Sequence, residues 1–165
     1  MILEIQTGRD NPILRKKSAI VREITKKTVK LIKDMQETML LAKGVGLAAP
    51  QIGINERIIL VTLDNKKILS AINPRILGFS EEISVAEEGC LSIPGLWGKV
   101  KRANEVTVEF QTAKGQKTVM KFSDFEAREM QHEIDHLDGI LFTDYIDEAD
   151  ITIDQISAQS EVEKI

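Results

Sequence analysis

His132 and His136 are the only histidines in this chain, and they stand four residues apart in Gln131-His-Glu-Ile-Asp-His-Leu-Asp-Gly139. On a helix, residues at that spacing share a face, about 40° apart around the axis, so both rings can point at one spot. Glu133 follows the first histidine, where an H-E-x-x-H zinc hydrolase places its general base. A divalent metal held this way needs at least one more protein ligand and keeps a position open for water. The one cysteine, Cys90, lies in Glu87-Glu-Gly-Cys-Leu-Ser92 and completes a His₂Cys set. Joining it to the histidines requires a strand-end turn around Cys90 to fold against one helix face. Gly89 is expected to give that turn backbone freedom. Binding needs Cys90 as thiolate and both histidines neutral. By ligand type alone the metal is zinc.

Composition bounds the rest. A chain of 165 residues, 42% hydrophobic and 29% charged, is one ordinary globular domain. A net charge of −4, from 22 basic and 26 acidic residues, argues against a protein devoted to neutralising nucleic-acid phosphates, so no DNA partner is expected. A lone cysteine closes no internal disulfide. The opening residues, Met1-Ile-Leu-Glu-Ile-Gln6, do not read as a signal peptide. No apolar run approaches the roughly 18 residues of a membrane span. The expected compartment is the cytoplasm, without a membrane partner.

The periodicity predicts an α+β fold of mainly antiparallel sheets packed around a central metal-binding helix. Residues 8–22 read as irregular, with Asn11-Pro12 favouring a turn. Val29, Ile32, Met35, Met39 and Leu40 recur at helical spacing over 25–42, with Thr25 as cap and Gly44 as stop. Strands are predicted over 57–63, 67–72 (ended by Asn73-Pro74), 82–86, 106–111 and 117–122, with Ala113-Lys-Gly115 as a hairpin loop. Ser123 or Asp124 caps the helix that carries the histidines. Asp135 projects away from the ligand face and reads as structural. Glu88 and Arg102 are candidates for an ion pair holding the cysteine turn.

Gly44-Val-Gly-Leu-Ala-Ala-Pro-Gln51, Glu88-Gly-Cys-Leu-Ser92 and His132-Glu-Ile-Asp-His136, in this order, closely resemble the three signature motifs of the peptide deformylases. The resemblance extends through Asn11-Pro-Ile-Leu-Arg15, Ile72-Asn-Pro74 and Leu141-Phe-Thr-Asp-Tyr145, roughly residues 1–147, leaving 148–165 as an acidic tail or short helix. A small departure is Ile20, where the family commonly has proline. The resemblance implies a metal-dependent hydrolase that removes the formyl group from the N-terminal formylmethionine of newly made proteins and releases formate. One divalent metal per chain is implied, Fe(II) by preference, with nickel, cobalt or zinc as substitutes.

The resemblance also assigns roles. Glu133 is the general base. Gln51, through its side-chain amide, and the backbone N–H of Leu91 stabilise the oxyanion. Gly44, Val45, Gly46 and Gly89 lie where the formylated peptide binds, much like an added strand. Val45, Ala86, Phe125 and Glu129 fall where the family lines its methionine pocket, and Trp97 is placed at the rim or in the core. Gly44-x-Gly46 is not a dinucleotide loop, because it follows a helix and does not complete G-x-G-x-x-G. Some deformylases dock on the ribosome through a basic C-terminal helix. The tail here carries Asp147, Glu148, Asp150, Asp154, Glu161 and Glu163 against Lys164, so transient proximity to the ribosome is expected without a basic tail. A general metallopeptidase and a homologue without activity are the rival readings.

Overall fold

The computed structural model describes residues 1–153, and the predicted α+β architecture is what it holds. Its helices are α1 (Pro12–Arg15), α2 (Lys26–Leu41) and α3 (Asp124–Leu137). The first strands are β1 (Gly46–Ala48), β2 (Ile58–Thr62), β3 (Ile68–Phe79) and β4 (Ile83–Cys90). The others are β5 (Ile93–Ala103), β6 (Glu105–Gln111), β7 (Lys117–Ser123) and β8 (Thr152–Ile153). They form an antiparallel sheet of order β1-β2-β3-β6-β7 and a smaller sheet of order β4-β5-β8.

The central sheet is covered on both faces, and β2 shows why its sequence is apolar throughout. Ile59 and Val61 point to one face and pack with Ala127, Met130, Ile134 and Leu137 of α3. Ile58 and Leu60 point to the other and pack with Ile32, Met35 and Met39 of α2. Alternation along a strand sends neighbours to opposite faces, so a strand buried on both faces must be apolar at every position. A third cluster of Ile93, Val100, Leu141 and Phe142 lies under the smaller sheet. No helix among the described residues is long and apolar enough to cross a membrane.

Four local expectations change. Val29 and Leu40 do not join the core; they are 47% and 61% exposed. The buried face of α2 includes Thr28, Asp34 and Thr38 instead, because Thr38 Oγ1 accepts from the Leu3 N–H at 2.9 Å and donates to Asp34 O at 2.8 Å. Gly44 is not the left-handed residue that ends α2. Lys43 takes that conformation (φ 57°), while Lys43 N–H reaches Leu40 O and Gly44 N–H reaches Met39 O, a Schellman ending with glycine one place later. Asn11-Pro12 opens a short helix, with Asn11 Oδ1 accepting from Ile13 N–H at 3.0 Å.

Finally, Asn73-Pro74 does not end the third strand. Asn73 adopts φ 51° at a bulge and bonds both the N–H and C=O of Val21 at 2.9 Å, and β3 continues to Phe79. Strand β5 escaped prediction because Pro94, Gly95, Gly98, Lys99 and Lys101 break its apolar alternation. Its partner β4 makes it a strand. The first part of the acidic stretch forms a turn at Glu148–Asp150 and the strand β8 against Leu96–Trp97 of β5. The rest of the predicted tail, 154–165, lies outside the described residues.

Candidate metal centre and cleft

β4 and β5 are joined by the two residues Leu91 and Ser92, with Cys90 opposite Ile93. This turn lies against α3, so Cys90, His132 and His136 meet: one ligand atom from each falls within 4.8 Å of the others. Cys90 Sγ is 3.3 Å from His136 Nε2. Both histidines are buried, and Cys90 is half-buried. The charges around them suit a cation. Burial and the neighbouring His132 ring hold His136 well below the usual histidine range, so it is neutral with a lone pair to offer. Burial disfavours the His132 cation too, but Cys90 and Glu88 on either side outweigh it and raise the group. Soft thiolate and imidazole donors, converging in a buried site, fit one transition-metal ion.

Glu88 sets the orientation. Its Oε1 is 2.8 Å from His132 Nδ1, which leaves Nε2 of that ring for the centre. Arg102 grips both carboxylate oxygens at 2.9 Å, and Arg128 Nη1 donates to Oε2 at 2.7 Å. Burial alone would raise Glu88, but the hydrogen bonds from Arg102 and His132 hold it far below the ordinary carboxylate range. The expected pair with Arg102 is therefore present. The second cation, Arg128, was missed: it also donates to Val100 O and Ser84 O, tying β4 and β5 to α3. Arg128 precedes His132 by one helical turn, but its partners belong to β4 and β5, so no local pattern marks it. Asp135 points away from the centre, accepting from Arg102 Nη1 at 2.6 Å and from Tyr145 Oη at 2.9 Å.

A cleft of about 460 Å³ opens beside the centre. Glu133 borders it, 3% exposed, with Oε2 lacking any hydrogen-bond partner. Burial pushes its carboxyl up to about 8. On the opposite wall, Gln51 is 1% exposed. Its Oε1 accepts from Ala48 N–H at 2.9 Å, which turns Nε2 towards Ser92 Oγ (3.1 Å) and Cys90 Sγ (3.5 Å). Ser92, buried, is thus a further residue that fixes the amide. Leu91 lines the cleft immediately after Cys90.

The glycines act differently from the sequence expectation. Gly89 has no left-handed backbone angle; a Cβ on it would lie 2.7 Å from Cε3 of Trp97, so glycine makes room for the indole. A Cβ at Gly44 would meet Leu91 Cδ1 at 2.7 Å, and one at Gly46 would meet the Glu133 carboxyl. These two glycines seat groups of the centre itself. Gly44, Val45, Gly46, Gly89, Phe125, Glu129 and the half-exposed Trp97 do line the cleft. Ala86 does not: it is exposed, opposite Val100 in β4, outside the ring of lining residues. Burial raises the Glu129 carboxyl.

A mononuclear Cys-His-His centre at the edge of a cleft, with a buried carboxyl and an oriented amide facing it on an α+β scaffold, defines a metal-dependent hydrolase. The sequence profile of the polypeptide deformylase family matches residues 2–151. A peptide deformylase of Halothermothrix orenii is 49% identical over 146 residues, 88% of this chain and 94% of that protein. Peptide deformylase 1 of Bacillus cereus is 46% identical over 143 residues, 86% and 90% of the two chains. The peptide deformylase of Thermotoga maritima superposes with TM-score 0.85 at 38% identity, covering 89% of this chain and 99% of that one. A Met-Ala-Ser-bound class I type b peptide deformylase of Acinetobacter baumannii gives TM-score 0.84 at 37% identity, covering 88% and 99%. The chain belongs to the peptide deformylase family, the metal-dependent hydrolases that remove the formyl group from N-terminal formylmethionine.

Proposed function

We propose that deformylation in this chain is carried by Glu133 as proton shuttle and by Gln51 with the Leu91 N–H as oxyanion donors, on formylated nascent peptides in the cytoplasm. Cys90, His132 and His136 would hold one Fe(II) ion, with nickel, cobalt or zinc as substitutes. Bound there, the ion supplies Lewis acidity and lowers the pKa of water towards about 7. Glu133 takes the proton of the attacking water. As the C–N bond breaks and formate leaves, it gives that proton to the departing amine. The unpartnered, buried Glu133 Oε2 is the observation that carries this role, since an acceptor kept free of protein donors is available to water. Gln51 suits the oxyanion because its amide is held by Ala48 and Ser92 before any substrate arrives.

The substrate lies along the cleft by Gly44–Gly46 and Gly89, and its methionine side chain is directed towards Val45, Phe125 and Glu129. That a relative of known structure binds Met-Ala-Ser supports a peptide with an amino-terminal methionine. A formyl carbon bears only hydrogen, so a narrow centre admits it and rejects larger acyl groups. Formate release from formyl-Met-Ala-Ser should exceed acetate release from acetyl-Met-Ala-Ser by at least about 10³-fold, beyond the roughly 10–200-fold that one methylene in an apolar pocket gives. Comparable rates would contradict the assignment.

A further inference from the structure

Phe125, Glu129, His132 and Glu133 recur at i, i+4, i+7 and i+8, so one stripe of α3 forms a wall of the cleft. Three other glutamates line the cleft besides Glu129. Glu88 is gripped by Arg102, Arg128 and His132, Glu133 borders the centre, and Glu87 is exposed on β4. Glu129 is half-buried, and among the described residues it accepts no hydrogen bond and forms no ion pair. Its neighbours three and four residues away along the described helix are Phe125, Glu126, His132 and Glu133, with no lysine or arginine to neutralise it. Lys43 also lines the cleft, exposed on the turn after α2, and does not pair with it.

A carboxyl so placed shapes what can lie beside it. Burial, aided by the negative Glu88, raises the group against the opposing pull of His132, Arg102 and Arg128. Both arginines are already engaged by Glu88. An apolar side chain laid against the carboxylate removes water from it and returns no hydrogen bond, which is unfavourable. A side chain that ends in an ammonium returns one, and a hydrogen bond to a charged group contributes on the order of 10–100-fold in binding. Its aliphatic stem meets the exposed side chains of Val45 and Phe125, and its charged end meets Glu129.

We propose that Glu129 fits the side-chain pocket to a second class of substrate: formylated chains whose first residue is unbranched and ends in a cationic hydrogen-bond donor, as lysine does. The inference rests on the reading that directs the first side chain towards Val45, Phe125 and Glu129. The probes are formyl-norleucyl-Ala-Ser and formyl-ornithyl-Ala-Ser. Both side chains have the length of methionine, and they differ from each other only in a terminal methyl or ammonium. The ratio of kcat/KM for the ornithine peptide to that for the norleucine peptide should fall at least about 10-fold in Glu129→Gln, which removes the charge at nearly constant volume. Glu129→Leu, which removes the acceptor as well, should lower it further. Each variant is its own reference, so partial loss of folding lowers both rates and leaves the ratio alone. A smaller fall in Glu129→Gln overturns the proposal. Calorimetric binding of the deformylated peptides Orn-Ala-Ser and Nle-Ala-Ser to metal-loaded protein reads the same preference without catalysis. A Glu129-dependent preference in binding, with no formate released from any peptide, would support the pocket and contradict only the catalytic reading. Formate release with a preference indifferent to Glu129 would contradict only this inference.

Discussion

The two walls of the cleft are held in place by opposite means. On the wall built from β4, β5 and α3, formal charges do the holding: Glu88 lies between Arg102, Arg128 and His132, and Asp135 extends the chain of contacts to Tyr145. On the wall built from residues 44–51, neutral groups do it. Gln51 is fixed by a backbone N–H and a hydroxyl, and glycines seat Leu91 and Glu133. The difference follows from what each wall presents. A wall that offers donors to a cation gains from a carboxylate behind its ligands, which fixes the His132 tautomer and strengthens the ring as a ligand. A wall that offers a proton donor to a developing negative charge must carry no competing anion, so its support is neutral.

The comparison can be broken from either side. The largest effect is expected on the neutral wall: Gln51→Ala should lower kcat by about 10²–10³, the usual scale for one oxyanion donor, with metal content unchanged. A change in KM alone would remove Gln51 from the transition state. On the charged wall, Arg128→Met should speed metal loss to a chelator by about 10–100-fold, the scale for residues that orient a ligand from behind. Arg128→Lys should not restore it, since one ammonium cannot reach Glu88, Val100 and Ser84 together. Unchanged metal release in Arg128→Met would reduce that residue to packing.

A third effect is on stability. Glu133 is raised from 4.5 to about 8 by burial. Below about pH 4.5 it is protonated folded or unfolded and costs nothing. As pH rises, the unfolded chain ionises first, so the folded state loses stability until about pH 8. In metal-free protein, Glu133→Gln should therefore raise Tm relative to wild type, by a margin that grows from pH 5 to pH 8. A margin independent of pH would show that Glu133 is ionised throughout.

The sequence made the chemistry more legible than the supports. Cys90, His132, His136 and Glu133 are legible because the lone cysteine and the histidine pair stand in motifs that, with Gly44–Gln51, resemble those of the peptide deformylases in the same order. The hairpin of β6 and β7 follows from alternation, β2 from an unbroken run of β-branched and apolar residues, and α3 from the histidine spacing and its caps. Strand β5 did not show, since its residues answer to pairing with β4 and to the Trp97–Gly89 contact rather than to alternation. Val29 and Leu40 misled for a related reason: the buried face of α2 is set partly by the Leu3–Thr38 bond, a long-range contact no local pattern carries. Arg128 and Ser92 stayed hidden because their partners lie on other elements, brought near only by the fold.

The most direct test is formate release from formyl-Met-Ala-Ser by anaerobically purified protein carrying Fe(II), with metal measured on the same sample for wild type and Glu133→Ala. The account predicts about one metal per chain in both, with kcat lower by about 10²–10⁴ in the variant, the range for loss of a general base. Full activity in Glu133→Ala with metal retained would contradict it.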